Sequence, residues 1–260
     1  MADPVLFVER TDAVCTITMN RPQQRNAVDR ELAQRLLDAL REFEDDDSLR
    51  VAVLSGAGGH FCSGADLTAI NDSERSLHVD PEGNEPGPMG PSRMHLKKPV
   101  IAAVSGYAVA GGLELSLLCD MRIAEESAVF GVFCRRWGVP LIDGGTVRLP
   151  RIIGQGRALD MILTGRPVGA QEALQMGLAN RVVPDGTALK AAQVMAADIA
   201  RFPQECMLTD RSSVYQQWGH NLPDALRHEG KAGFPIVDLE ARAGAERFAG
   251  GAGRHGSFDI

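Results

Sequence analysis

The chain has 260 residues, of which 44% are hydrophobic and 23% are charged, and its formal net charge is -7. This length and composition are typical of a globular protein with a substantial core, and they exclude a mini-protein that depends on disulfides. The acidic balance provides no general positive field for a polyanion, so we expect neither a nucleic-acid partner nor a membrane partner.

In the N-terminal half, the sequence pattern predicts strands that alternate with helices. Residues 5 to 19 predict a β-hairpin with its turn at Arg10 to Asp12, and an amphipathic helix follows, capped by Asn26. Apolar runs then predict strands at 51–54, 100–104 and 121–124, separated by turn and helix signals. Strands that alternate with helices predict an α/β core.

The segment from Asn71 to Met94 is rich in proline and glycine, which argues against regular structure. Such a segment is either a mobile wall of a pocket or a plain surface loop. From Gly154 onward the pattern turns helical, interrupted by a short strand at 180–183, and it ends in a glycine-rich tail from Ala249 to Gly256.

The five cysteines are scattered without CxxC spacing, which favours reduced thiols in the core or in a pocket over disulfides or a metal site. They are Cys15, Cys62, Cys119, Cys134 and Cys206. The N-terminus lacks a basic region followed by an apolar stretch, and no apolar run reaches the about 18 residues of a membrane span. We expect a cytoplasmic address and no metal.

The most informative motif is SGYAVAGGLEL, at 105–115, which follows an apolar strand and opens a helix. Gly111 and Gly112 have no Cβ, so a ligand can approach their amides, and the start of a helix favours negative charge. Glu114 lies in the first turn of this helix. The pattern indicates an oxyanion site beside a carboxylate.

A second motif, FCSGADL from Phe61 to Leu67, also follows a strand and a glycine turn. Together with Asn20-Arg21-Pro22 and Asn26-Ala27-Val28, the two motifs closely resemble the crotonase superfamily, the enoyl-CoA hydratases and isomerases. The resemblance runs from about residue 5 to the C-terminus.

The resemblance implies an α/β fold built as a spiral of repeated β-β-α units. Residues 1–200 would form this crotonase-like core with the acyl-CoA site, and residues 201–260 would form a C-terminal helical region that makes subunit contacts and covers the pocket. It also implies a homotrimer or a dimer of trimers. The coenzyme A thioester is then the substrate, and no cofactor is expected.

The resemblance assigns the two oxyanion amides to Ala65 and Gly111, and it assigns the role of the first catalytic glutamate to Glu114. The alternative is structural: both turns could be simple helix starts, and Glu114 could be an exposed acid favoured by the helix dipole. A carboxylate at the edge of an apolar pocket would have a raised pKa suited to proton transfer.

The sequence departs from the hydratases at the second acid. Cys134 stands where they carry another glutamate, and a neutral thiol returns a proton less readily than a carboxyl group does. Asp143 is the nearby downstream carboxylate, and other branches of the superfamily use an aspartate in this loop. Asp143 is therefore a catalytic candidate, its alternative being an Asx turn before two glycines.

For the coenzyme A moiety, the resemblance points to Arg25, whose guanidinium could stack on adenine and contact phosphate. The remaining binding candidates belong to the motifs above: Ala27, Ser63, Ala65, Asp66, Leu67 and Gly111. Weaker phosphate candidates are Lys97, Lys98 and Lys231.

The leading hypothesis is an acyl-CoA enzyme that stabilises a thioester enolate, of enoyl-CoA hydratase or isomerase type. One alternative is a hydrolase, decarboxylase or racemase that uses Asp143. Another is a catalytically silent acyl-CoA-binding protein, suggested by Cys134. An RNA-binding relative of this superfamily is known, but the acidic charge gives that function little support.

Overall fold

The computed structural model describes residues 3–84 and 86–253, so part of the predicted glycine-rich tail lies outside the described residues. The strands are β1 Leu6–Thr11, β2 Val14–Met19, β3 Val51–Gly56, β4 Val100–Val104, β5 Tyr107–Val109, β6 Met121–Glu125, β7 Val129–Gly131, β8 Val168–Gly169 and β9 Arg181–Val183. The helices are α1 Arg30–Asp45, α2 Gly111–Leu118, α3 Gly145–Ile153, α4 Gln155–Thr164, α5 Ala170–Gln175, α6 Ala188–Arg201, α7 Gln204–Gln216, α8 Leu222–Ile236 and α9 Arg242–Ala249.

The strands form two sheets. The larger sheet has the order β1-β2-β3-β4-β6-β9, and only the β1–β2 hairpin within it is antiparallel. The smaller sheet has the order β5-β7-β8. The hairpin turn lies one step later than predicted, because β1 continues through Thr11.

The chain alternates between the two sheets in a repeating way. β4 lies in the larger sheet, β5 in the smaller one, and α2 follows; β6 and β7 then repeat this placement before α3. After β3, Cys62 likewise bridges Ala108 of the smaller sheet. These repeats confirm the predicted spiral of β-β-α units.

Side-chain alternation along the strands divides the core into two clusters. In β3, Val51 and Val53 pack in a cluster with α6, whereas Ala52 and Leu54 face the cluster that contains α1 and α2. The larger sheet is thus covered on both faces, which explains its continuous apolar strands.

The predicted cap of α1 was wrong. The helix begins at Arg30, and its N-cap is Asp29, whose carboxylate accepts a hydrogen bond from Leu32 N at 3.2 Å. Asn26 instead adopts a left-handed conformation, with φ of 55°, and its amide nitrogen donates to the carbonyls of Ala57 and His60. Asn26 therefore ties this turn to the loop after β3, a role that its tolerance of positive φ permits.

The acidic residues at the end of α1, residues 44–47, make contacts with a distant part of the chain. Glu44 accepts hydrogen bonds from the backbone amides of Lys97 and Lys98, at 2.8 and 3.0 Å. The Lys98 ammonium donates to the carbonyls of Phe43 and Asp46 at the end of the helix. Since these carbonyls carry the negative end of the helix dipole, Lys98 stabilises the end of α1, and this contact gives its ammonium a structural role.

The chain divides into two compact units, and the division falls between Ala200 and Arg201. In the second unit, α7 packs against α8, and a π-helical turn at Val237–Ala241 joins α8 to α9. None of the described residues from 201 to 253 is buried. No described helix combines the length and the apolar character needed to span a membrane.

Candidate active site

Two glycine-containing turns lie side by side at the site. Cys62 N donates to Tyr107 O at 2.8 Å, and Val109 N donates back to Cys62 O at 3.1 Å. A Cβ on Gly112 would lie 2.1 Å from Cys62 O, and one on Gly64 would lie 3.0 Å from Gly111 N. Glycine at these positions therefore allows the two turns to meet.

The two predicted oxyanion amides are available. In the described part of the chain, no hydrogen bond is donated by Ala65 N or Gly111 N. The bridge between Ala65 and Val28 uses the neighbouring peptide groups, since Val28 N donates to Gly64 O and Asp66 N donates to Val28 O. Gly111 is the first residue of α2, where amides have no partner within the helix.

A strained residue precedes the second amide. Ala110, the N-cap of α2, has φ of 54° and ψ of -127°, a conformation that an alanine rarely adopts. Its own amide donates to Gly131 O at 2.9 Å, and its carbonyl accepts from Glu114 N at 3.2 Å. These bonds hold the turn in the conformation that leaves the Gly111 amide without a partner.

Glu114 is 2% exposed, so the prediction of an exposed helix-start acid is excluded. Its Oε1 atom accepts hydrogen bonds from the backbone amides of Asp143 and Gly145, at 2.9 and 2.8 Å. Burial raises the pKa of the Glu114 carboxyl to about 7, and the negative charge of Asp143 contributes to the increase. Glu114 therefore exchanges a proton readily near neutral pH.

Asp143 lies in the loop before α3, and it does not form the Asx turn considered above. Its Oδ1 atom accepts a hydrogen bond from Met89 N at 2.9 Å and another from the Ser92 hydroxyl, both far away in sequence. Burial raises the pKa of this carboxyl, although both hydrogen bonds oppose the increase. The structure thus brings a second carboxyl group next to Glu114.

Each carboxyl group keeps one oxygen available. Within the described residues no hydrogen bond reaches Oε2 of Glu114 or Oδ2 of Asp143. Among those same residues, every fully enclosed side-chain nitrogen or oxygen has a hydrogen-bond partner. The two unpaired oxygens must therefore border accessible space, as proton-transfer groups require.

Cys134 lies in a short 3₁₀ turn, Phe133–Trp137, and is buried. Burial raises the pKa of its thiol, and the negative charge of Glu114 adds to the increase. The thiol is therefore near Glu114, as its place in the sequence predicts, but it stays protonated.

In the described ranges, no cluster of three or more metal-ligating side chains occurs.

Comparisons with known proteins agree with this geometry. Residues 9–249 match the enoyl-CoA hydratase/isomerase family model. The chain is 41% identical to enoyl-CoA hydratase EchA19 of Mycobacterium tuberculosis H37Rv over 206 residues, which is 76% of this chain and 75% of the relative. It is 37% identical to 2,3-dehydroadipyl-CoA hydratase of Escherichia coli K12, over 86% of this chain and 87% of that protein.

A solved structure of an enoyl-CoA hydratase is also similar to this chain. A crystal structure of enoyl-CoA hydratase from M. tuberculosis H37Rv superimposes with a TM-score of 0.88 at 34% identity, covering 95% of this chain and 96% of that one. The chain belongs to the enoyl-CoA hydratase/isomerase family. Membership confirms the predicted crotonase fold and supports the predicted activity, a lyase of the hydratase type that takes acyl-CoA thioesters.

The predicted coenzyme A residues of this family member come from two loops that the structure joins. Ser63 N donates to Arg25 O at 3.0 Å, and the Ser63 hydroxyl donates to Gln24 O at 3.1 Å. Arg25 is exposed, and its guanidinium lies 5.3 Å from the centre of the Tyr107 ring. Ala27 is buried, whereas Leu67 is 41% exposed.

Asp66 has a different environment from the other binding candidates. Its carboxylate pairs with Arg21 at 3.0 Å and with Arg75 at 2.9 Å, and it accepts a hydrogen bond from the Thr68 hydroxyl at 2.6 Å. Burial opposes ionisation, but the hydrogen bonds from Thr68 and Arg21 outweigh it and lower the pKa of Asp66. We interpret Asp66 as a support for the adjacent Ala65 amide.

Local sequence patterns did not indicate the residues that hold the Glu114 and Asp143 carboxyl groups in place. Ser92 and Met89 hold Asp143, and Gly145 allows close approach, because a Cβ there would lie 2.9 Å from Glu114 Oε1. The Gly144-Gly145 pair in the sequence could have indicated this contact, since adjacent glycines often permit another group to approach the backbone closely. Nothing in the local sequence around Ser92 identifies its partner.

Proposed function

We propose that the protein hydrates 2-enoyl-CoA thioesters, with the Ala65 and Gly111 amides as the oxyanion hole and with Glu114 and Asp143 as the proton-transfer pair. The observation that carries the proposal is the buried Glu114 carboxyl, one helical turn after an amide without a partner. Preorganised amides stabilise charge that develops on the thioester oxygen.

In the proposed reaction, water adds across the double bond. One carboxylate removes a proton from the water that attacks Cβ, while electrons move onto the thioester oxygen to form an enolate. The other group, protonated, returns a proton to Cα, and the thioester carbonyl re-forms. The pair must therefore hold one proton, which two adjacent buried carboxyls favour because both cannot ionise easily.

The second carboxyl distinguishes hydration from isomerisation. Glu114 alone could move a proton between carbons, and Cys134 at the position of the second acid favours isomerisation. The purified protein is expected to bleach the enone absorbance of crotonyl-CoA and to yield a product heavier by one water in mass spectrometry. A 3-enoyl-CoA converted to its 2-enoyl isomer, with crotonyl-CoA unchanged, would instead identify an isomerase.

Gly64→Ala tests the oxyanion hole. Gly64 has φ of 99°, and a methyl group there would lie 3.0 Å from Gly111 N and 2.9 Å from the Ala110 Cβ. We expect kcat for crotonyl-CoA to fall by about 10²–10³, the effect of losing one oxyanion donor. Steady-state kinetics would measure it.

Gly59→Ala is the matched control, because Gly59 also has a positive φ, 79°, but a Cβ there meets no atom within 4 Å. It carries a similar backbone strain without entering the site. If both variants lost the same activity, strain rather than obstruction would explain the result, and the oxyanion assignment would lose its support.

We further infer a homo-oligomer, a trimer or a dimer of trimers. The second unit exposes many large apolar side chains, including Trp218, Phe234 and Phe248, at 55%, 75% and 65% exposure. Exposed apolar surface of this extent favours association. Size-exclusion chromatography with multi-angle light scattering at micromolar concentration is expected to give three or six times the chain mass. Phe234→Lys is expected to shift the distribution toward smaller species. A wild-type monomer at that concentration would contradict the inference.

A further inference from the structure

The segment Gly87–Ser92 is buried, although it belongs to a stretch whose sequence resembles a loop. Met89 and Ser92 are both fully buried, at 0% exposure. Gly90 has φ of 79°, and a Cβ there would lie 2.1 Å from the Ala33 carbonyl of α1. The segment therefore packs directly on the backbone of α1, and it forms a wall of the site rather than a plain surface loop.

Hydrogen bonds from three further side chains connect this part of the chain to the loop that carries Asp143, in addition to the hydrogen bond from the Met89 amide. The Ser92 hydroxyl donates to Asp143 Oδ1. Arg148 Nη1 donates to both Ser92 O, at 2.7 Å, and Asp143 O, at 3.1 Å. Arg93 Nη2 donates to Ile142 O at 2.8 Å. These hydrogen bonds fix the distance between the backbone at Ser92 and the backbone of the Asp143 loop, and the Ser92 hydroxyl bridges the two.

The two donors on Oδ1 determine where the other oxygen of Asp143 points. A carboxylate turns about its Cβ–Cγ bond unless its oxygens are held. Here an amide and a hydroxyl hold Oδ1, while Oδ2 has no partner among the residues that the structure describes. Groups that transfer protons need to be held within a fraction of an ångström of the productive position.

We propose that Ser92 is a positioning residue, which orients the Asp143 carboxyl toward the substrate through its hydroxyl. The inference rests on the proposed function, in which Asp143 is the second proton-transfer group. Ser92 itself would touch neither the substrate nor water in the reaction.

The charged groups that face Asp143 come from three elements. They are Glu114 on α2, Arg148 on α3, and Arg93 on the 3₁₀ turn Pro91–Arg93. The Ser92 hydrogen bond lowers the pKa of Asp143 against the effect of burial. Removing the hydroxyl should therefore raise that pKa, and the acid limb of the kcat/KM profile should move to higher pH.

Ser92→Ala is expected to lower kcat by about 10- to 100-fold with little change in KM, the loss expected for one hydrogen bond to a charged group. The acid limb of the kcat/KM profile of Ser92→Ala is expected to move to higher pH. Ser92→Thr keeps the hydroxyl, so its acid limb should stay at the wild-type pH even if the extra methyl lowers kcat. Ser76→Ala, at a partly exposed site of the 71–94 stretch where Arg30 Nη2 donates to the Ser76 hydroxyl at 3.4 Å, is the matched control.

The outcomes separate the inference from the function on which it rests. If Asp143→Asn is inactive but Ser92→Ala keeps the wild-type kcat and pH profile, the positioning role is wrong and the carboxyl pair stands. If Asp143→Asn is fully active, the pair itself fails. Should the alanine variant not fold, Ser92→Cys fills the space with a weaker donor; an unmoved acid limb in that variant would also overturn the proposal.

Discussion

Replacing Glu114 by glutamine is expected to lower kcat for crotonyl-CoA hydration by about 10²–10⁴, the usual contribution of a proton-transfer group. Glutamine retains an oxygen that can accept the hydrogen bonds from Asp143 N and Gly145 N, so the loop before α3 should keep its position. Only the ability to exchange a proton is removed. Progress curves of enone absorbance measure the rate, and a kcat within a few-fold of wild type would remove Glu114 from the mechanism.

The pH dependence of stability provides the control for this variant. The pKa of Glu114 is raised in the folded state from 4.5 to about 7, so the protein loses stability as pH rises through that range and the buried carboxyl ionises. Glutamine does not ionise. We therefore expect Glu114→Gln to be more stable than wild type by about 1–3 kcal/mol at pH 8, and by little at pH 5. Urea unfolding at the two pH values would measure the difference.

Asp143→Asn is the second large effect, with an expected loss of about 10²–10³ in kcat, whereas Cys134→Ala is expected to change kcat by less than about tenfold. The reason is that burial raises the pKa of the Asp143 carboxyl above its usual acidic range, which suits a carboxyl group to proton transfer, while burial raises the pKa of the Cys134 thiol and keeps it protonated. Kinetics of the two variants with one substrate decide between the positions.

The reverse result would be equally informative. If Cys134→Ala removed hydration and Asp143→Asn did not, the thiol would be the second proton-transfer group and Asp143 would be structural. Cys134→Glu provides an independent measurement: where Asp143 already serves as the second acid, a third carboxyl near Glu114 should not raise the hydration rate. A marked rise would indicate that the site lacks an acid.

Much of the site was predictable because its requirements are local. The two turns that we propose as the oxyanion hole need small residues after a strand and before a helix, and this requirement is visible in the Gly111-Gly112 pair and in Gly64. The position of Glu114 in the first turn of the helix follows from the same motif. The alternating strands and helices likewise predicted the α/β core, and the resemblance to the superfamily identified the spiral.

Other features could not be predicted because they depend on contacts between distant residues. Asp29, rather than Asn26, caps α1, because Asn26 bonds to the loop after β3, more than 30 residues later. Ser92 meets Asp143 across 51 positions. Sequence separation of that size carries no information about contact.

The sequence by itself indicated the reaction class, because its two glycine-containing motifs and Glu114 resemble those of the superfamily and all lie within short local segments. Tertiary structure alone brought the Asp143 carboxyl beside Glu114. Asp143 and Cys134 are both candidates in the sequence, and only the folded chain places the Asp143 amide on Glu114 while holding the Asp143 carboxyl from the opposite wall. The physical reason is that the ionisation of each group depends on burial and on neighbouring charges, which exist only once the chain is folded.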